Sequence, residues 1–443
     1  MEKTFHITTF GCQMNEHDSE TMAGLLLEMG MSRVENREDA DIEIINTCSV
    51  RENADKHFFG TLGQLKHKKE DNQEFLVCVS GCMMQQQSVI DTLKAKYPWV
   101  DIVIGTHNIH MLPGLIDKVA AEKSKLIEVW PDTDAIVEGL PAERLFKHKA
   151  LVNITFGCNN FCTYCIVPYT RGREKSRSPE AIITEIEKLA SDGVKEVMLL
   201  GQNVNSYKGI DAGGTEINFA SLVRRINAID GLERIRFMTS HPKDLSDELI
   251  ETFISCEKLC KNIHLPVQAG ANTVLKRMNR HYTREQYLEL VNKIRNAVPE
   301  ITMSTDIIVG FPGETEEDFE ETLSLVREVE YDSAFTFLYS IRKGTPAEKY
   351  EDQIPEEIKH ERFNRLVEAV NEISERKNKA YLGKIEKVLV EGTSKTDDNT
   401  LTGRTDGFKL VNFPGDEALI GETVDVEITD AKTFSLMGRI VNE

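Results

Sequence analysis

The central part of the chain alternates short apolar runs with amphipathic stretches. The apolar runs have the length and composition of strands, and they lie at 150–155, 196–200, 235–239, 262–267, 302–309 and 334–339. Helices are predicted to begin near Ser178, Phe219, Ser246, Thr283 and Thr315. Strands that alternate with helices form parallel sheets with right-handed crossovers. Because six such units are too few to close an eight-stranded barrel, the pattern predicts an open, partial (β/α)6 barrel.

The two ends of the chain have different patterns. The first 120 residues also alternate, with predicted strands at 5–9, 42–46, 75–80 and 102–104, which is typical of a doubly wound parallel α/β domain. From about Lys384, short β runs separated by glycines follow an amphipathic helix, and this favours a small antiparallel β-barrel. We therefore predict an α/β protein with an N-terminal domain over 1–121, a linker over 122–143, a core over 144–375 and a C-terminal barrel over 376–443.

Three cysteines lie directly after the first predicted strand of the central barrel. They are Cys158, Cys162 and Cys165, in CxxxCxxC spacing. A closed structural zinc site uses four ligands, usually as two CxxC pairs. Three soft thiolates on one loop instead suit an iron–sulfur cluster with one iron left open for a small molecule. Chemistry in parallel α/β barrels gathers at the carboxyl ends of the strands, so the position of this loop agrees with the predicted fold.

Three further cysteines each follow a predicted strand of the N-terminal domain. They are Cys12, Cys48 and Cys82. The carboxyl ends of parallel strands meet at one edge of a sheet, where such folds bind ligands, so a second three-thiolate site is geometrically plausible. The remaining cysteines, Cys78, Cys256 and Cys260, are interpreted as buried structural thiols.

Composition and charge narrow the class of protein. Hydrophobic residues make up 40% of the chain, and neither a membrane-spanning apolar run nor a signal peptide is visible, so we predict a soluble, cytoplasmic protein without membrane contact. The net charge of −20 is unusual for a nucleic-acid-binding protein. Residues 144–177, however, contain seven basic residues and one acidic residue. Such a patch is sufficient for phosphate contacts, although a solvated charged loop has the same composition. The candidate phosphate ligands are Arg171, Arg173, Lys175 and Arg177.

The cysteine loop resembles the signature CxxxCx(aromatic)C of the radical S-adenosylmethionine superfamily, with Tyr164 at the aromatic position. The whole layout resembles the methylthiotransferases. Three motifs are similar to the branch of that family that modifies dimethylallyladenosine in tRNA: GCQMN at 11–15, NTCSVRENA at 46–54 and VPYTRGRE at 167–174. The resemblance implies an N-terminal domain with an auxiliary 4Fe-4S cluster on Cys12, Cys48 and Cys82. It also implies a radical core with a 4Fe-4S cluster on Cys158, Cys162 and Cys165, and a C-terminal barrel called the TRAM domain.

The reaction implied by this resemblance is methylthiolation at carbon 2 of the adenine in N6-(dimethylallyl)adenosine, next to the anticodon at tRNA position 37. One S-adenosylmethionine would donate a methyl group, and a second would supply a 5′-deoxyadenosyl radical, since no ordinary side chain removes such a hydrogen. The candidate S-adenosylmethionine contacts are Tyr164, Gly201, Gln202, Asn203, Ser240, Gln268 and Asp306. Implied partners are a tRNA anticodon stem-loop, an electron donor such as a flavodoxin or ferredoxin, and a supplier of sulfur or clusters. We expect a monomer.

Two features depart from the pattern of the family. From Ala380 onward, seven basic residues stand against twelve acidic ones, and Phe408 occupies a position where the family usually has asparagine. Phe408 would either stack on a base or pack in the protein core. Two alternatives therefore stay open: a methylthiotransferase that modifies an aspartate of a ribosomal protein, and a noncatalytic iron–sulfur protein that binds RNA.

Overall fold

The computed structural model describes residues 3–49, 52–133, 135–394 and 397–441. The strands of the N-terminal part are β1 (Thr4–Thr9), β2 (Ser32–Arg33), β3 (Ile42–Thr47), β4 (Leu76–Gly81), β5 (Ile102–Ile104) and β6 (Leu126–Glu128). Its helices are α1 (Gln13–Glu28), α2 (Glu52–Asp71), α3 (Gln87–Lys96) and α4 (Leu112–Glu122). Within the described ranges these strands form one parallel sheet in the order β2-β1-β3-β4-β5-β6.

Apolar side chains cover both faces of this sheet, as a doubly wound fold requires. Ile44 and Ile45 are neighbours in β3, and they pack in two different apolar clusters because successive side chains of a strand point to opposite faces. The predicted doubly wound domain is confirmed. The sheet also includes β6, which lies inside the segment predicted as a linker. The boundaries of the four predicted segments stay a prediction.

In the described residues, the central part contains ten strands and eight helices. Its strands are β7 (Lys149–Asn153), β8 (Thr155–Phe156), β9 (Lys175–Ser176), β10 (Glu196–Leu200), β11 (Lys208–Ile210), β12 (Glu216–Asn218), β13 (Arg234–Phe237), β14 (Asn262–His264), β15 (Thr302–Val309) and β16 (Ser333–Leu338). Its helices are α5 (Val167–Thr170), α6 (Pro179–Ser191), α7 (Phe219–Asn227), α8 (Asp247–Ser255), α9 (Asn272–Arg277), α10 (Arg284–Ala297), α11 (Glu316–Val329) and α12 (Glu356–Lys379).

The long strands of this part form an open half-barrel. Strands β7, β10 and β13 pair in parallel, as do β14, β15 and β16, and a parallel bridge between Ile235 and Leu259 joins the two sheets. Among the described residues, β7 and β16 do not pair with each other, so the barrel is open between them. This confirms the predicted partial barrel. Nothing in the described part of the chain is a helix that combines the length and apolarity needed to cross a bilayer.

The C-terminal strands close into a small barrel. They are β17 (Ile385–Ser394), β18 (Asp397–Arg404), β19 (Leu410–Pro414), β20 (Thr423–Ala431) and β21 (Leu436–Ile440). The order around the barrel is β17-β18-β19-β21-β20, and β17 pairs with β20 to close it. The pairing of β19 with β21 is parallel, and the other pairs are antiparallel. The predicted small barrel is confirmed.

A buried arginine joins the C-terminal barrel to the core. Arg236 of β13 is 1% exposed and pairs with Glu196 at 2.8 Å. Its guanidinium also donates to the carbonyl oxygens of Thr405 and Asp406 at 2.7 and 2.8 Å. Phe408, in the same turn, lies under the Arg236 guanidinium and borders an apolar cluster that includes Met198 and Met238 of the core. Phe408 is therefore part of the contact between domains, which agrees with the core alternative.

Candidate active site

Cys12, Cys48 and Cys82 meet at one edge of the N-terminal sheet. They follow β1, β3 and β4, which are neighbours in the sheet. A Cβ atom placed on Gly11 would lie 2.9 Å from the Cβ of Cys48, so glycine allows the Cys12 loop to approach that cysteine. A hydrogen bond with Cys48 and burial raise the pKa of the Cys12 thiol, and burial raises that of Cys82. A cationic partner such as iron would therefore stabilise the thiolate forms of Cys12 and Cys82.

Cys158, Cys162 and Cys165 lie on a compact loop above the first barrel strand. Gly157 precedes this loop with φ +69°, and a Cβ there would collide with the carbonyl oxygens of Gly172 and Arg173. Burial raises the pKa of Cys158 to about 11 and that of Cys165 to about 12. Bound to a metal centre, the Cys158 and Cys165 thiols would be converted to thiolates.

The described residues contain no group of three Cys, His, Asp or Glu side chains arranged for a single metal ion. A cluster of several irons holds its thiolates farther apart than one ion does, and it uses one cysteine for each ligated iron. Two sets of three soft donors at strand ends therefore fit an iron–sulfur cluster better than a structural zinc ion.

Arg171 connects the two cysteine sets. It follows the second cysteine loop directly, at the end of α5, and its Nε donates to the Cys82 sulfur at 3.1 Å. The same guanidinium donates to Asp18 at 2.7 Å and to Asn15 at 3.4 Å. The Arg171 and Asp18 side chains are only 4% and 8% exposed. The segment that carries Cys158, Cys162 and Cys165 is thus held against the residues around Cys82.

Two residues of the predicted phosphate-binding patch are buried in ion pairs. Arg171 is buried in the pair just described, and Arg177 is buried against Glu138 and Glu185 at 2.7 and 2.8 Å. Guanidinium groups that are neutralised inside the protein are not available to a polyanion, so the burial of these two residues does not support their predicted role. Lys175 pairs with Asp132 at 2.7 Å and is partly buried. Arg173 is exposed, with its guanidinium 4.4 Å from the Phe161 ring centroid.

Several buried polar atoms at the carboxyl ends of the barrel strands lack a hydrogen-bond partner. Among the described residues of β7, β10 and β13 and the turns after them, these atoms are Asn153 Oδ1, Thr155 Oγ1, Asn203 Oδ1, Ser240 Oγ and His241 Nε2. Buried polar groups are nearly always paired in folded proteins, so such a concentration indicates a polar ligand. Asn203 and Ser240 are predicted S-adenosylmethionine contacts, and His241 lies beside Ser240 at the same strand end.

The other predicted cofactor contacts lie around the same half-barrel. Tyr164 packs edge-on against Phe311. The main-chain N–H of Gln268, a residue with φ +73°, donates to the carbonyl oxygen of Asp306 at 2.9 Å. The Asp306 carboxylate lies 3.4 Å from His264 Nε2.

Gly201 and Gln202 follow β10 at the same end of the half-barrel. A Cβ on Gly201 would collide with the Thr155 hydroxyl, so glycine is required for this approach. The Gln202 amide contacts the sulfur of Met14, which belongs to α1. The Met14 side chain packs with Met198 and Leu200 in an apolar cluster, so the N-terminal domain extends into the core at this point.

Two residues beside the cysteine loop and the candidate cofactor contacts were not predicted from the sequence. Arg280 is 4% exposed, and its guanidinium lies 3.5 Å from the Cys162 sulfur while donating to the carbonyl oxygen of Pro266 at 2.7 Å. His264 contacts Asp306. Neither residue belongs to a local motif, since both are brought to the site by the folding of the half-barrel.

Comparison with known proteins assigns this arrangement to a family. Residues 4–105 match the family described as "Uncharacterized protein family UPF0004", residues 152–326 match the Radical SAM superfamily, and residues 379–441 match the TRAM domain. The chain is 60% identical over 435 residues to a tRNA-2-methylthio-N(6)-dimethylallyladenosine synthase of Clostridium botulinum (strain Loch Maree / Type A3), covering 98% of this chain and 96% of the relative. It belongs to this synthase family.

A second member of the synthase family, from Clostridium perfringens, is 57% identical over 441 residues, which is 99% of this chain and 98% of the relative. Among solved structures, the radical S-adenosylmethionine methyltransferase TsrM of Kitasatospora setae, with cobalamin and a [4Fe-4S] cluster bound, has a TM-score of 0.57 at 13% identity. That likeness covers 79% of this chain and 77% of TsrM. The radical enzyme OxsB has a TM-score of 0.51 at 16% identity, with 79% of this chain and 55% of OxsB covered. At these identities the likeness concerns the fold alone.

Proposed function

We propose that this chain methylthiolates carbon 2 of the adenine in N6-(dimethylallyl)adenosine of tRNA, using two 4Fe-4S clusters and two molecules of S-adenosylmethionine. The observation that carries the proposal is the pair of three-cysteine sets, each at strand ends and connected through Arg171. An enzyme of this kind needs both metal centres at one cavity, because a reactive intermediate has to be positioned and kept from water.

The residues present fit both groups. Cys12, Cys48 and Cys82 would hold the auxiliary cluster, and Cys158, Cys162 and Cys165 would hold the second cluster. Held by these residues, the second cluster would supply one electron to bound S-adenosylmethionine, whose reductive carbon–sulfur cleavage would give methionine and the hydrogen-abstracting radical.

The chain's own residues bind, orient and exclude water. Asn203 and Ser240 offer unpaired buried polar atoms to the cofactor. Tyr164, Gly201, Gln202, Gln268 and Asp306 complete the proposed set of contacts. The apolar cluster around Met14 and Met198 limits the access of water to the space between the domains.

The remaining partners follow from the proposed reaction. Electrons would come from a donor such as a flavodoxin or ferredoxin, and consumed sulfur would be replaced by a separate supplier. We propose that the enzyme acts as a monomer in the cytoplasm on the anticodon stem-loop. Arg173 and Lys175 are the phosphate contacts retained from the sequence prediction, since the Arg173 side chain is exposed and that of Lys175 is only partly buried.

The decisive experiment is anaerobic incubation of the reconstituted protein with undermodified tRNA, followed by nucleoside mass spectrometry. About eight irons per chain are expected, together with a methylthio mass on dimethylallyladenosine. Cys162→Ala is expected to abolish 5′-deoxyadenosine formation. Cys82→Ala is expected to keep that product but lose the methylthio nucleoside. Cys78→Ala, a buried thiol outside both sets, is the matched control and should keep both products.

A second candidate is methylthiolation of a ribosomal protein, which the acidic composition of the C-terminal barrel favours. The same incubation with ribosomal protein in place of tRNA distinguishes the two substrates. A methylthio mass on the protein alone would refute the tRNA proposal.

A further inference from the structure

Three large apolar side chains are exposed at the open edge of the half-barrel. Phe335 and Phe337 of β16 are 53% and 47% exposed, and Ile341, just after the strand, is 51% exposed. The alternating residues of β16, which are Ala334, Thr336 and Leu338, are more buried. The strand therefore turns its larger side chains away from the packed helices. We call Phe335, Phe337 and Ile341 the apolar wall.

The apolar wall faces the same space as the proposed site. In the parallel register of β15 and β16, Phe335 is opposite Asp306 and Phe337 is opposite Ile308, so each pair shares one face of the sheet. The ring of Phe335 meets that of His264 edge-on at 5.9 Å, and His264 also contacts Asp306.

The wall is also continuous with the cysteine loop. Ile308 packs against a buried apolar cluster whose other neighbours include Tyr164, which lies between Cys162 and Cys165. A molecule resting on Phe337 would thus reach from the open edge of the barrel toward the proposed cluster.

The opposite edge of the half-barrel is already covered. Helix α1 packs against β7, and Met14 and Gln202 make contact between the two domains there. In the described part of the chain, β16 pairs with β15 alone. The edge of the half-barrel at β16, which carries the apolar wall, is therefore not covered by a further strand of the described residues.

We propose that the apolar wall binds the dimethylallyl group on N6 of the target adenine and thereby selects prenylated RNA. This inference rests on the proposed function and adds the residues that read the substituent. The group is an apolar five-carbon chain, and two phenyl rings beside an aliphatic side chain remove such a group from water. An adenine without the dimethylallyl group leaves the two phenyl rings exposed to water, so the apolar wall adds nothing to its binding affinity.

The test uses the reconstituted full-length enzyme and two anticodon stem-loop RNAs that differ only in the dimethylallyl group. Methylthiolation is followed under single turnover, and the Kd of each RNA is measured by anaerobic fluorescence anisotropy. Phe335→Ala and Phe337→Ala are expected to lower the preference for the prenylated RNA roughly tenfold or more, as the loss of apolar contact surface in a pocket does. Phe335→Leu keeps an apolar side chain and should retain most of the preference. Ile254→Ala, an exposed apolar residue on the outer helix α8, is the matched control.

The outcomes separate this inference from the proposed function. If the wild-type enzyme modifies neither RNA, the proposed function fails. If it modifies the prenylated RNA and both alanine variants keep the full preference, the apolar wall does not read the substituent. A weaker affinity for S-adenosylmethionine with an unchanged RNA preference would assign the wall to the cofactor and would also overturn the inference. Iron content and RNA-independent cleavage of S-adenosylmethionine check that each variant is folded and loaded.

Discussion

Replacing Arg171 by methionine tests whether its buried ion pair fastens the N-terminal domain to the core. Methionine keeps much of the aliphatic volume but removes the donors to Asp18, Cys82 and Asn15. Asp18 would remain 8% exposed and without its counter-ion. Breaking a buried pair by removing one partner typically costs about 3–5 kcal/mol. We expect the free energy of unfolding of the N-terminal domain to fall by this amount.

The chain offers a selective probe and a matched control for this experiment. Its two tryptophans are Trp99 and Trp130, which lie in the N-terminal part, so tryptophan fluorescence during urea unfolding of the iron-free chain reports on that domain. Arg33→Met removes a partly exposed pair with Glu143, whose members are 34% and 30% exposed, and should cost at most about 1 kcal/mol. The double variant with Asp18→Asn should be more stable than Arg171→Met alone, since it leaves no unpaired charge. Equal losses for Arg171→Met and Arg33→Met would refute the reasoning.

Three further predictions follow from buried contacts elsewhere. Arg236→Met leaves Glu196 unpaired beneath the C-terminal barrel, so it should destabilise the chain by about 3–5 kcal/mol. A protease should then release that barrel, which mass spectrometry would detect. The control Arg224→Met removes a partly exposed pair with Glu248 and should cause neither effect. Burial lowers the pKa of His17 to about 4, and Asn153 donates to its Nδ1 at 3.0 Å. The unfolded chain therefore binds a proton near pH 6.5 that the folded chain accepts only near pH 4, and stability should fall on going from pH 7 to pH 5 by about 1–2 kcal/mol through this residue. Urea midpoints at the two pH values should lose that difference in His17→Gln and keep it in the exposed variant His67→Gln. Gly157→Ala adds a backbone collision to an unfavourable positive φ, so the reconstituted iron content should fall to about half of that of Gly193→Ala. Gly193 is the matched control, because it also has a positive φ of +93° but no atom within 4 Å of the new Cβ. Equal iron contents in the two variants would contradict this prediction.

The local sequence pattern was sufficient to predict those elements that depend only on residues close together in the chain. The runs at 196–200 and 302–309 coincide with β10 and β15, because buried parallel strands are apolar along their whole length and end at polar turns. The positions of the six cysteines relative to these strands also follow from the order of residues. Since all parallel strands end at the same edge, that order is enough to bring Cys12, Cys48 and Cys82 together.

Whether a side chain is buried or exposed depends on the elements that pack against it, and only the tertiary structure shows which elements these are. Arg171 and Arg177 stand in a basic stretch that reads as a surface patch, yet acidic residues from α1, α6 and residue 138 neutralise them inside the protein. Phe335 and Phe337 have the pattern of core residues, and only the open edge of the half-barrel exposes them. The sequence by itself determined the long buried strands and the positions of the six cysteines after them, because these depend on neighbours along the chain. Which charges are buried and which apolar groups are exposed depends on residues far apart in sequence, so the folded arrangement alone settled it.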